Sequence, residues 1–123
     1  MPTDLERLGG ESAVHAHVKA IVEAFFDDMI IGFQFVGRSR ERIMTHESEL
    51  ALRHLGASSP YTGRPIARVH GRLRINRGQF RRRLAIVQTV LADRGVPTDI
   101  IERWVEHDRA LESQIVDGTD CVP

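Results

Sequence analysis

The chain has 123 residues, enough for one hydrophobic core, and this predicts a single domain over residues 1–123. Its 17 basic and 17 acidic residues cancel, so no overall charge favours nucleic acid or an anionic membrane as a partner. A single cysteine excludes an internal disulfide framework. Because we find neither a signal-like N-terminus nor a long apolar run, we expect a cytoplasmic protein without a membrane span.

The N-terminal part predicts a short capped turn and then a long helix. Thr3 and Glu6 have the spacing of a capping box, ahead of a break at Gly9-Gly10. From Ser12 onward, three- and four-residue steps separate the apolar residues Val14, Val18, Ile21, Val22, Phe25, Phe26, Met29 and Ile30. This spacing is typical of a helix with one buried face.

An apolar loop and a second helix follow. The loop contains Phe33, Phe35 and Val36, and because it is apolar we expect it to pack against another surface. Ser39 is placed to cap a helix that runs to residue 55, where Gly56 can end it in a left-handed turn. One side of this helix carries Ile43, Glu47, Leu50 and His54.

The remaining elements are also helical by pattern. Residues 57–65 have the composition of a loop, and a short helix is expected over residues 65–71. A further helix ends at Gly95, and a last helix begins at Pro97-Thr98, before a tail from about residue 117. Their apolar faces comprise Phe80, Leu84, Val87 and Leu91, and then Ile101, Trp104, Val105, Leu111 and Ile115. With no strand-like alternation anywhere, the predicted fold class is all-α.

Several motifs occur in an order that resembles one family. These are "LERLGG" at 5–10, the long apolar helix, Phe35, "HLGASSPYTG" at 54–63 and "HGRLRINRGQF" at 70–80. Together they resemble the truncated haemoglobins, most closely group I, over roughly residues 4–115. The resemblance implies a two-over-two helical sandwich that encloses haem b and binds diatomic gases.

The resemblance also implies the residues that hold the haem. His70 corresponds to the proximal ligand, because a neutral imidazole is a suitable axial ligand for haem iron. Phe35 matches the phenylalanine that stacks on the haem, and Tyr61 is a candidate near the haem edge. The residues expected to pack against the porphyrin are Ile66, Leu73, Ile75 and Phe80. The alternative is that His70 only donates a hydrogen bond to a loop carbonyl.

His46 lies 24 residues before His70, on the helix that should cover the other haem face. Some group I members carry a histidine at the matching position, where it closes on the iron as a sixth ligand. The resemblance therefore predicts His46 as a second iron ligand, with Ile43 and Leu50 lining the same pocket. The alternative is a solvated or propionate-facing histidine at the pocket mouth.

The chain departs from the family on this distal side. Ile21-Val22 stands where many members have phenylalanine and tyrosine, and a four-residue shift gives Phe25-Phe26, which also lacks a hydroxyl. Glu47 stands where a glutamine is common, and an ionised carboxylate cannot donate a hydrogen bond. These missing donors predict fast loss of dioxygen or rapid oxidation to ferric haem. Burial would raise the pKa of Glu47 and restore a donor, whereas an outward Glu47 would pair with Arg40 or Arg42.

Three functions follow from the resemblance and its departures. The first is diatomic ligand binding, with nitric oxide dioxygenation to nitrate if an external reductase returns the iron to the ferrous state. The second is peroxidase-like chemistry with His46 or Glu47 as the acid–base group. The third is a globin-fold sensor or interaction module without haem, an alternative that the departures at Val22, Glu47 and Ala57 leave open.

Two further features have ordinary interpretations. Six arginines lie between residues 72 and 83, and we interpret them as a solvated helix face, since the net charge is zero. One or two of them, or Arg64, could pair with a haem propionate. His107, within the sequence "EHDR", is interpreted as a surface residue.

Overall fold

The computed structural model describes residues 2–56 and 75–112. Within these ranges the only regular elements are helices, which confirms the all-α prediction. The expected helix over residues 65–71 and the tail from about residue 117 lie outside the described residues. The elements are α1 (Asp4–Leu8), α2 (Glu11–Asp27), a 3₁₀ turn (Gly32–Phe35), α3 (Arg40–Leu55), α4 (Arg77–Asp93) and α5 (Thr98–Arg109).

Side-chain caps fix the ends of these helices. Thr3 and Glu6 form the predicted capping box, with both hydrogen bonds at 3.1 Å. The hydroxyl of Ser39 accepts a backbone hydrogen bond at the start of α3, and the Asn76 side chain does the same for α4. Gly56 ends α3 at a φ of 123°, a conformation that favours glycine. The predicted boundaries of α1 and α3 are therefore close to the observed ones.

The helices pack in two pairs around a common core. Helix α2 packs on α3, α4 packs on α5, and the pairs meet chiefly where α2 contacts α4. The apolar faces predicted for these four helices supply most of the core. No helix among the described residues is both long enough and apolar enough to cross a bilayer.

Helix α2 is shorter than predicted. It ends at Asp27, so that Met29 and Ile30 leave the apolar face, and Met29 is 99% exposed. The Asp28 carboxylate accepts the backbone N–H groups of Ile30 and Ile31, each at 3.0 Å, and so replaces the helical hydrogen bonds. Arg82 of α4 pairs with the same carboxylate at 2.6 Å, which ties this turn to α4.

The 3₁₀ turn then buries one aromatic ring and exposes another. A Cβ atom at Gly32 would lie 2.7 Å from the Phe26 carbonyl oxygen, so only glycine allows this close approach. Phe35 is 4% exposed, whereas Phe33 is 63% exposed and Val36 is also exposed. The expected packing of this loop is observed for Phe35, whereas Phe33 and Val36 are exposed because the tight turn points them away from the core.

Candidate functional site

An aromatic cluster lies where α2, the 3₁₀ turn and α4 meet. The Phe35 ring stacks on Phe25 with centroids 5.8 Å apart and planes 12° apart, and it contacts Phe26 at 5.1 Å. The Arg83 guanidinium lies over the Phe35 ring at 5.1 Å and over Phe25 at 5.6 Å. Gln34 is also buried here, and its amide has no hydrogen-bond partner among the described residues. Phe35 is therefore held rigidly against the core.

Helix α3 carries a second, less buried face. Ile43, His46 and Leu50 follow one another at three- and four-residue steps, so they share one side of the helix, and all three are half-buried. The fully buried residues of α3 lie on another side and comprise Ser48, Ala51, Leu52 and Leu55. The face that contains His46 is thus partly covered by protein.

Glu47 is turned toward the interior beside this face. It lines a small cavity together with Leu50, Trp104, Asp108 and residues of α2 and α4. Burial raises the pKa of Glu47 to about 7, Asp108 adds repulsion, and Arg83 acts in the opposite direction. The predicted rise of this pKa on burial is confirmed in direction.

The outward alternative for Glu47 is therefore wrong. Arg40, one of the two arginines proposed to pair with it, instead approaches Asp27 to 3.8 Å. Its guanidinium also lies 4.6 Å from the centre of the Phe26 ring. The first turn of α3 thus directs this arginine toward α2 and leaves Glu47 facing α4 and α5.

Arg83 does not belong to a solvated face, so that interpretation is wrong at this position. Its residue is only 8% exposed, and its Nε atom has no hydrogen-bond partner among the described residues. Burial lowers the pKa of Arg83, while Glu47 and Asp108 oppose the shift. A signal was present in the sequence, because Arg83 lies three residues after Phe80 and four before Val87, on the apolar face of α4.

A histidine cluster joins the last turns of α3 and α5. The His54 ring stacks on His107 with centroids 4.1 Å apart, and Trp104 meets His54 edge-on at 5.4 Å. His107 is half-buried, and its side chain keeps 37% exposure, so it lies at the surface while it also contacts His54. Burial lowers the pKa of His54 to about 4, and His107 contributes to the shift. His54 lies seven residues after Glu47, which places both on neighbouring parts of one helix side.

The predicted haem-site residues divide into two groups. Ile75 is buried just before α4 and Phe80 within its first turn, five and ten residues after His70 in the sequence. Phe35, Ile43, His46, Glu47 and Leu50 lie on the 3₁₀ turn and α3, as described above. The other predicted residues, which lie outside the described ranges, are Tyr61, Ile66, His70 and Leu73.

Comparisons with known proteins agree with the helical arrangement. No family model matches the sequence. A curated relative, "Group 1 truncated hemoglobin" of Tetrahymena thermophila, is 25% identical over 111 residues, which cover 88% of this chain and 92% of the relative.

Solved structures are similar over nearly the whole chain. Truncated hemoglobin from Tetrahymena pyriformis, in its Fe(III) form, superimposes with a TM-score of 0.85 at 18% identity, over 94% of this chain and 98% of that one. The 2/2 hemoglobin from Synechococcus, solved in the cyanomet state with covalently attached heme, gives 0.83 at 19% identity, over 92% and 95%. The predicted two-over-two helical sandwich is thereby confirmed.

Proposed function

Because the chain is similar in sequence to a group I truncated haemoglobin and has the two-over-two globin fold, we propose that it binds haem b and, through the iron, diatomic gases. His70 would be the proximal ligand and His46 a second ligand on the opposite side. The observation that carries the proposal is the half-buried face of α3, which sets His46 between two apolar side chains, Ile43 and Leu50.

The chemistry of the described residues fits a haem group. A porphyrin needs apolar walls and one or two imidazole nitrogens, with polar atoms kept to its edge. Phe35, Ile75 and Phe80 are buried apolar residues, and Ile75 and Phe80 follow His70 by five and ten residues in the sequence. His46 supplies an imidazole on the helix that would face them.

Bound haem would supply reversible ligand binding and one-electron redox chemistry at its iron. The chain's own residues would orient the group and exclude water from it. Phe35 is suited to this role because its contacts with Phe25 and Phe26 leave it little freedom to rotate. Ile43 and Leu50 would place hydrocarbon beside the ligand position, which limits access to small neutral molecules.

Glu47 would hold a proton on the side of the haem where the gas ligand would bind. A carboxyl group with a pKa of about 7 is partly protonated at neutral pH, and its protonated form donates a hydrogen bond. Glu47 would thus replace the donor that glutamine supplies in many group I members. Arg83 would influence the fraction of Glu47 that is protonated, because its positive charge favours the ionised form of this carboxyl group.

The reaction class that we propose is nitric oxide dioxygenation. Dioxygen and nitric oxide combine to give nitrate and leave the iron ferric, so a separate one-electron reductase would return it to the ferrous state. This reaction belongs to a reducing compartment, and we place the protein in the cytoplasm. The apolar wall beside His46 favours it, since both substrates are small and uncharged.

A peroxidase-like reaction is the second candidate, and the position of Glu47 favours it. Peroxide cleavage needs a group that accepts a proton and returns it, and such a group works best when its pKa is near the operating pH. Glu47 meets this condition at neutral pH. A peroxidase activity that is lost in Glu47→Gln and retained in Glu49→Gln would favour this function over dioxygenation.

The test is an absorption spectrum of the purified chain after addition of haemin. We expect a Soret band at one haem per chain and a low-spin ferric spectrum, because two imidazoles would ligate the iron. His46→Ala should convert the spectrum to high-spin. The exposed residue His15 supplies the control, and His15→Ala should leave the spectrum unchanged.

The outcomes separate the candidate functions. A high-spin spectrum in the unchanged protein would remove His46 from the iron and leave the haem proposal standing. A chain that shows no Soret band after haemin is added would overturn the proposal and favour a haem-free globin-fold module.

A further inference from the structure

The last turns of α3 and α5 bring three metal-binding side chains together. His54, His107 and Asp108 each offer one ligand atom, and these atoms all lie within 4.8 Å of one another. The His107 Nδ1 and Asp108 Oδ1 atoms are 3.7 Å apart. Two imidazoles and one carboxylate form a donor set that zinc uses in proteins.

Two of these atoms lack a hydrogen-bond partner among the described residues. His54 Nε2 and His107 Nδ1 are both buried, and neither has a hydrogen bond within the described part of the chain. Buried polar atoms of folded proteins are almost always bonded, so each exception calls for an explanation. Here both exceptions lie in one cluster and belong to the residue type that most often binds metals.

The charges nearby also favour a cation. Glu47 and Asp108 face Arg83, so that two carboxyl groups are set against one guanidinium. When both carboxyl groups are ionised, this group of three carries a net negative charge. A divalent cation beside Asp108 would offset the excess.

We propose that His54, His107 and Asp108 form a binding site for a divalent transition metal of the zinc class, distinct from the proposed haem-iron ligands. The two imidazole nitrogens and one carboxylate oxygen would be the protein ligands, and water would complete a tetrahedral set. Oxygen-seeking cations such as Mg²⁺ and Ca²⁺ would bind poorly, because two of the three donors are nitrogen.

Rotation of the His107 and Asp108 side chains would close the site. Bonds of 2.0–2.1 Å in a tetrahedral site require ligand atoms about 3.3 Å apart. The two imidazoles must leave their stacked arrangement, since a metal lies in the plane of each ring that binds it. His107 and Asp108 have side chains 37% and 30% exposed, which gives them room to turn and gives the metal a path from solvent. Trp104 holds the more buried His54 ring in place.

The site does not depend on the proposed haem function. His54 follows His46 by eight residues, about 12 Å along the axis of α3. None of its three ligands belongs to the predicted haem-binding set. The metal site can therefore be tested whether or not the chain takes up haem.

The first experiment is a calorimetric titration of the purified full-length chain with Zn²⁺, after chelator treatment and removal of the chelator. We expect one zinc per chain, and we expect no competition from Mg²⁺ or Ca²⁺ at tenfold excess. His107→Ala and Asp108→Asn should each weaken binding at least tenfold, because even loss of a supporting residue costs 10–100-fold. His15→Ala, at an exposed position on α2, is the matched control and should bind as the unchanged chain does.

The second experiment is X-ray absorption at the zinc edge, which reports the ligands directly and needs no variant. We expect two imidazole nitrogens in the first coordination sphere. Zinc with one imidazole or none, binding that persists unchanged in both variants, or no zinc binding by the unchanged chain would each overturn the proposal. A missing Soret band would leave these results unaffected, so failure of the haem proposal is recognised separately.

Discussion

Two regions of the interior are built in opposite ways. The aromatic region at Phe25 and Phe35 is held by ring contacts between residues that are each suited to burial. The polar region at Glu47, Arg83 and Asp108 buries three groups that would each prefer water and that depend on one another. The first region therefore loses packing when a residue is removed, whereas the second is left with an unbalanced charge.

Arg83 should show the largest effect. Removing one member of a buried ionic group costs about 3–5 kcal/mol, and the upper end applies because Arg83 also covers two aromatic rings. We expect Arg83→Ala to lower the free energy of unfolding by about 5 kcal/mol in urea denaturation at pH 8. Arg81→Ala, two positions away on the exposed side, should change it by less than about 0.5 kcal/mol. Equal losses of unfolding free energy in Arg83→Ala and Arg81→Ala would show that Arg83 is not part of a buried ionic group.

Phe35 tests the aromatic region. We expect Phe35→Ala to reduce the free energy of unfolding by about 4 kcal/mol, because it leaves a cavity beside Phe25 and Phe26. The same substitution at Phe33, which is 63% exposed, should have little effect. Thermal or urea unfolding of both variants gives the comparison, and a similar loss at Phe33 would contradict the described turn.

Glu47 gives the polar region a pH signature. Its pKa is about 7 in the folded chain against an ordinary value of 4.5, so the unfolded chain releases this proton first as the pH rises. The stability that Glu47 contributes is complete below pH 4.5 and is lost as the pH rises through 7. Relative to Glu47→Gln, the unchanged protein should lose up to about 3 kcal/mol of unfolding free energy between pH 5 and pH 8.

His54 also changes the stability of the chain with pH, so Glu47→Gln is needed as the reference protein. Its pKa is lowered to about 4, so the unfolded chain takes up a proton first as the pH falls below 6.5, and stability declines toward acid. This change opposes the one from Glu47, but it occurs equally in Glu47→Gln and cancels in the difference. Parallel stability profiles for the two proteins over pH 5–8 would show that Glu47 is not held in the interior as described.

Local signals explain what the sequence predicted correctly. Ser39 and Gly56 mark the ends of α3 because capping and left-handed turns depend on neighbouring residues. Trp104 was expected in the core from the apolar residues at helical spacing around it, and it is buried. Such features need no knowledge of which helices meet.

The residues that were misassigned depend on contacts between helices far apart in sequence. Arg83 was grouped with its charged neighbours, although its spacing places it on the apolar face of α4. The contact between His54 and His107 was not predicted, because nothing adjacent to either residue in sequence indicates that the two rings stack. Phe33 and Phe35 have the same side chain two residues apart, and only the geometry of the turn decides which one is buried.

The central claim is that an imidazole at position 70 binds haem iron, and the spectrum of His70→Gly with and without added imidazole tests it most directly. We expect the variant to lose the axial coordination of the unchanged protein, and we expect imidazole to restore it by filling the space of the missing side chain. A Soret band and axial coordination that stay the same in the variant without imidazole would contradict the claim.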